Sequence, residues 1–170
     1  IGWICVVLAG VAYCAFRFWN LTASCLWFDE IFSIHAAGMS FPDLFSFIAK
    51  DLIHPPLFYL LLKIWILPGG ESLFWLRLFP VFFSIAALVP FFLLCRELKF
   101  SKPTIAFALL FVACNGGLIR YSQEVRMYAP LLFLTLMSMW LFARFLFLGK
   151  NIWLLTIINV LLIHTHYFGW

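Results

Sequence analysis

Asp29 and Glu30 stand side by side after Trp27-Phe28, at the end of an apolar stretch. The chain has only seven acids in 170 residues and is 66% hydrophobic, so two adjacent carboxylates are a costly placement. Ionisable groups kept at a membrane boundary are functional candidates by default; the structural alternative is a loop whose acids simply face water. The densest polar stretch is Arg120-Tyr121-Ser122-Gln123-Glu124-Val125-Arg126-Met127-Tyr128. Arg120 and Glu124 are four apart and would pair on a helix, which leaves Arg126 and the two tyrosines unexplained. A guanidinium offers a fixed fork of donors suited to a phosphate. His54 precedes Pro55-Pro56, and Arg77 lies in Arg77-Leu78-Phe79-Pro80. His164 and His166 are two apart, so on one helix they point in different directions and make a poor metal pair. A carboxylate base and an arginine for phosphate are the ingredients of group transfer to a hydroxyl.

Those residues need elements to hold them, and composition says which kind. Aromatic residues make up 21% of the chain, charged residues 11%, and mean hydropathy is +1.08. A soluble fold needs a polar exterior that this chain does not supply, so it reads as an all-α polytopic membrane protein. A helix needs about 17–25 apolar residues to cross the hydrocarbon. Five runs approach this: 1–19, 74–95, 103–119, 129–148 and 152–166. The run Leu57 to Leu67 carries Lys63 at its middle and is too short to span, which suggests a re-entrant or surface helix. Between the first two spans, residues 20–73 form a long outer loop. Within it Ser40 and Asp43 resemble a helix cap, followed by Phe41, Leu44, Phe45, Ile48 and Leu52 at helical spacing. That predicts an amphipathic helix lying on the bilayer, ended at His54-Pro55-Pro56. The chain starts at Ile1 and stops at Trp170 just after an apolar run, so it is read as the N-terminal part of a longer protein.

Charge sets the sidedness. The short connections 96–102 and 144–150 hold Arg96, Lys99, Lys102, Arg144 and Lys150, with Glu97 their sole acid. Basic density in short loops marks the cytoplasmic side. The other six acids, the 120–128 stretch and His164-Thr165-His166-Tyr167 then share the opposite face. Cys5, Cys14, Cys25, Cys95 and Cys114 form no Cys-x-x-Cys pair and imply neither disulfides nor zinc. The net charge of +4 is too diffuse for a nucleic-acid partner.

Ser24-Cys25-Leu26-Trp27-Phe28-Asp29-Glu30, His54-Pro55-Pro56-Leu57-Phe58-Tyr59, Arg77-Leu78-Phe79-Pro80, the 121–128 stretch and His166-Tyr167 follow in order. In that order and spacing they resemble the N-terminal half of GT-C type membrane glycosyltransferases. The resemblance is to the dolichyl-phosphate-mannose-protein mannosyltransferase family and its bacterial aminoarabinose-transferase-like relatives. It implies transfer of a sugar from a polyprenyl-phosphate donor to an acceptor hydroxyl on protein, lipid A or glycan. The setting implied is a multi-pass bacterial inner membrane protein with its active face periplasmic or extracellular, or luminal elsewhere. Asp29 would be the catalytic base, and Glu30 would orient the acceptor, a metal or a basic partner. Arg126 with Arg77 would hold the phosphate. His54, Tyr121, Glu124, Tyr128 and His166 would complete the substrate site, and Glu30 and Glu124 are the carboxylates available to a divalent cation. Two other classes compete. A lipid-sugar flippase would keep charges inside its spans, whereas here, Lys63 aside, they sit at span ends. A non-catalytic scaffold would tolerate loss of Asp29.

Overall fold

The computed structural model describes residues 2–51 and 54–169. Ile1, where the first apolar run begins, and Leu52, the last apolar position expected for the amphipathic helix, lie outside the described residues. Among the described residues there are ten α-helices and no strand.

The chain is an all-α membrane protein whose exterior is as apolar as its interior. On α1 (Gly2–Phe18) Val6, Ala9 and Tyr13 are buried, while Trp3, Ile4, Val7, Leu8 and Val11 are exposed at helical spacing. Such stripes recur on the later helices, for example at Phe107 and Phe111 and at Trp153, Ile157 and Val160. Apolar surface on that scale needs a lipid solvent.

Three helices lie within residues 20–73. The first, α2 (Phe28–Gly38), begins at the acidic pair itself. Trp27 is extended and its N–H donates to Glu30 Oε2 at 3.2 Å, which satisfies one orphan amide of the first turn. Asp29 and Glu30 therefore sit on a helix N-terminus, where the backbone dipole favours carboxylates. Next comes α3 (Phe41–Asp51), started by Ser40, whose Oγ accepts from the Asp43 N–H at 3.3 Å. Leu44 is fully buried while Phe41 and Phe45, on the same apolar stripe, stay exposed. The third, α4 (Leu57–Gly69), follows Pro55-Pro56 and ends at Gly70 with φ +70°. At thirteen residues it is about 20 Å long. Lys63, unexplained by its apolar run, donates to the carbonyls of Ala37 (3.2 Å) and Met39, where α2 ends. A cation at a helix C-terminus is favourable.

The expected span 74–95 is two helices, α5 (Leu73–Ala86) and α6 (Leu88–Glu97), meeting at Ala87. Pro90 brings no N–H to the turn around Ala86, which accounts for the joint. Together they form a 25-residue apolar rod. Trp65 and Trp75 stack at 4.9 Å, and each indole N–H donates to the other's carbonyl (2.9 and 2.8 Å), clamping α4 to α5.

The run expected to continue from 103 to 119 stops earlier. Here α7 (Lys102–Cys114) gives way at Asn115 to the short α8 (Gly116–Tyr121), which Asn115 caps through the Leu118 N–H at 2.9 Å. Two consecutive glycines after a good capping residue favour a new helix over continuation. Then α9 (Tyr128–Leu148) ends at Gly149 with φ +66°, and α10 (Ile152–Thr165) packs along it.

The long helices share their ends. Arg17 at the end of α1 donates to Ala113 O (3.1 Å) and Val112 O (3.2 Å) at the end of α7. Gln123 donates to Arg17 O and Trp19 O just ahead of α9. At the opposite ends, Lys102 lies over the Trp3 ring at 5.2 Å and Arg144 is 3.8 Å from Glu97.

Candidate active site

Consecutive residues on a helix point about 100° apart, so the acidic pair at the start of α2 faces two ways. Asp29 looks toward the Arg126 side chain, its Oδ2 3.9 Å from Arg126 Nη2. The Arg126 guanidinium also donates to Ser33 Oγ (3.2 Å), Asp29 O (3.4 Å) and His54 Nε2 (3.3 Å). Arginine can only donate, so His54 Nε2 serves as acceptor. Ser33 sits one turn after Asp29 and donates to its carbonyl at 2.8 Å, which holds Ser33 Oγ in place for Arg126. Arg126 is buried, while the Asp29 side chain is 37% exposed. The carboxylate is therefore the reachable member of the pair.

Aromatic and imidazole rings extend this group. Tyr121 and Tyr128 lie 4.6 Å apart, and Tyr128 is 6.3 Å from the His166 ring. His166 is extended and follows the last turn of α10, where it feels both His54 and Arg126. Burial first, then the neighbouring His54 and Arg126, pushes its imidazole below the ordinary value. The structure thus gathers Asp29, Arg126, His54, Tyr121, Tyr128 and His166 from α2, the 54–56 turn, α8, the α8–α9 turn, the start of α9 and the end of α10.

Glu30 faces the other way and is fully buried. Its Oε1 accepts from the Val125 N–H at 2.9 Å, and its Oε2 is 3.5 Å from Arg77 Nη2. Arg77 also donates to Leu21 O (2.7 Å) and Cys25 O (3.2 Å). The arginine expected beside Arg126 thus holds Glu30 and the start of the outer loop. Glu124 Oε1 accepts from Arg120 Nε at 2.6 Å, the pairing that the four-residue spacing anticipates. Glu30 thus has one oxygen on the Val125 N–H and one on Arg77, while Glu124 gives one oxygen to Arg120. Among the described residues no three His, Cys, Asp or Glu side chains cluster as a metal site.

Three contributors escape sequence reasoning. Ser33 orients Arg126, and its signal was only a hydroxyl four residues after a carboxylate. Gln123 ties the site turn to the end of α1. Arg17 is buried over the Tyr13 ring at 3.5 Å, and the four-residue spacing of the two was the available clue.

Residues 30–162 match the sequence model of the dolichyl-phosphate-mannose-protein mannosyltransferases. The match begins one residue after Asp29 and takes in Glu30, His54, Arg77, Glu124 and Arg126. No curated protein and no solved structure matches the chain.

Proposed function

Since the chain belongs to the dolichyl-phosphate-mannose-protein mannosyltransferase family, we propose that Asp29 is the base of its transfer reaction. The protein is a membrane glycosyltransferase that uses a polyprenyl-phosphate sugar donor. The acceptor hydroxyl belongs to a protein, lipid A or glycan, and the active face is periplasmic or luminal. The chain crosses the membrane five times, through α1, the α5–α6 rod, α7, α9 and α10, in a bacterial inner membrane. One observation carries this reading: the partly exposed Asp29 carboxylate stands 3.9 Å from a buried arginine that His54 and Ser33 hold in place.

In the reaction, Asp29 takes the proton of the acceptor hydroxyl as its oxygen bonds to the sugar's anomeric carbon. The bond from that carbon to the phosphate oxygen breaks, and polyprenyl phosphate leaves with the electron pair. A phosphate leaves without an acid catalyst but benefits from fixed positive charge, which Arg126 supplies with no reorganisation. Tyr121, Tyr128, His54 and His166 line the approach.

The experiment is sugar transfer from a radiolabelled polyprenyl-phosphate donor by the full-length protein in membranes. Asp29→Asn keeps shape and removes the base, so the rate should fall about 10²–10⁴-fold with donor binding retained. Arg126→Ala should instead weaken donor affinity, through the lost charge-assisted contact. Wild-type rates in the Asn variant would remove Asp29 from the mechanism.

A further inference from the structure

On the Glu30 side of α2, away from the face that Asp29 turns to Arg126, lies a cavity of about 560 Å³. Its walls include Trp19, Trp27, Glu30, Arg77, Arg120 and Glu124. Two buried polar atoms on these walls lack hydrogen-bond partners: Glu124 Oε2 and Arg77 Nε. Glu124 is 8% exposed and Arg77 4%, so both are held out of bulk water.

We propose that this cavity binds the acceptor, and that the acceptor is an uncharged carbohydrate. The inference rests on the transferase reading and narrows its acceptor class. Charge is the first argument. The walls carry two arginines and two glutamates, a formal balance of zero, so a phosphate or a carboxylate finds no surplus positive charge there. Hydrogen bonding is the second. Asn20, Ser24 and Gln123 join the walls, so amide and hydroxyl groups alternate with charged ones, as a polyol needs. The aromatic rim is the third. Trp19 is 70% exposed and Trp27 44%, and an indole face is electron-rich, so it attracts the weakly positive C–H face of a sugar ring. The volume lies in the range of small-molecule sites. Because Glu30 borders this cavity and its chain neighbour Asp29 faces Arg126, an acceptor here would approach the base across the first turn of α2.

Cys25 is exposed and lines the cavity, which gives a direct readout. The full-length protein in lipid nanodiscs is treated with N-ethylmaleimide, and labelling of each cysteine is followed by mass spectrometry. Cys114, exposed at the end of α7 and outside the cavity walls, is the internal control. Added α-mannobiose should slow labelling of Cys25 and not of Cys114. Trp27→Ala should weaken that protection about tenfold, and Trp27→Phe should restore most of it. Protection by polyprenyl phosphate in place of mannobiose would make this the donor's cavity and overturn the proposal. No protection by either ligand would overturn it as well. Sugar transfer to mannobiose is measured in parallel. Protection without any donor turnover would keep the sugar cavity and remove the transferase reading; donor turnover without protection would do the reverse.

Discussion

Glu30 and Asp29 are neighbours that meet different partners, and Glu30 ties three parts of the fold together. It caps α2 through the Trp27 N–H, fixes the 124–126 turn through the Val125 N–H and pairs with Arg77. Glu30→Gln would leave Arg77 buried without its counter-charge. Removing one partner of a buried pair costs about 3–5 kcal/mol, so the variant should unfold earlier in a denaturant titration in detergent. Unchanged stability would mean that Arg77 is satisfied by its two carbonyls alone. His166 gives a pH dependence. Its folded value lies below the ordinary 6.5, so on acidification the unfolded chain takes up the proton first. The stability it contributes is full above that ordinary value and is lost as pH falls toward the folded one. The melting temperature should therefore drop between about pH 7.5 and about pH 5.5, and His166→Gln should flatten the drop. An identical slope in both proteins would assign the effect elsewhere.

Among the elements, α4 tests the topology. It is no shorter than α7, but Lys63 near its middle is spent on the end of α2, which ties α4 to the outer loop. Single cysteines placed at Leu57 and at the exposed Glu71 should both label from the side that carries Asp29; labelling from opposite sides would reverse every later loop. Lys63→Met should lower stability by about 1 kcal/mol, since two terminal carbonyls of α2 lose their cation. The helix at 41–51 was legible from Ser40 and the apolar spacing. That α2 begins at the acidic pair was not, because Trp27 is a poor capping residue by type and the cap is made from within by Glu30. The single run from 74 to 95 hid a joint, since hydropathy is blind to a missing amide at Pro90. At the site, the types and order of the polar residues were readable. Which arginine meets which acid was not, because the 100° step between Asp29 and Glu30 becomes visible only once both are on a helix.

At the scale of the whole molecule, the polar groups gather where α1 and α10 end and where α5 and α9 begin, while basic short loops hold the other ends together. One contact in that arrangement governs how the chain can be made. Arg17 donates to Ala113 across 96 residues, and no acid is among its hydrogen-bonding partners. At a synthesis rate of about 5–20 residues per second, α1 is complete for roughly 5–20 s before α7 exists to receive it. During that interval the guanidinium has Tyr13 of its own helix and, once α5 is made, Ser84; its other donors must reach for water or headgroups. A nascent chain arrested before residue 112 should thus leave α1 easily extracted from the membrane by alkaline carbonate, and one arrested after α8 should retain it. Arg17→Leu should abolish that difference. A first helix that resists extraction at every arrest point would show that it settles without its distant partner.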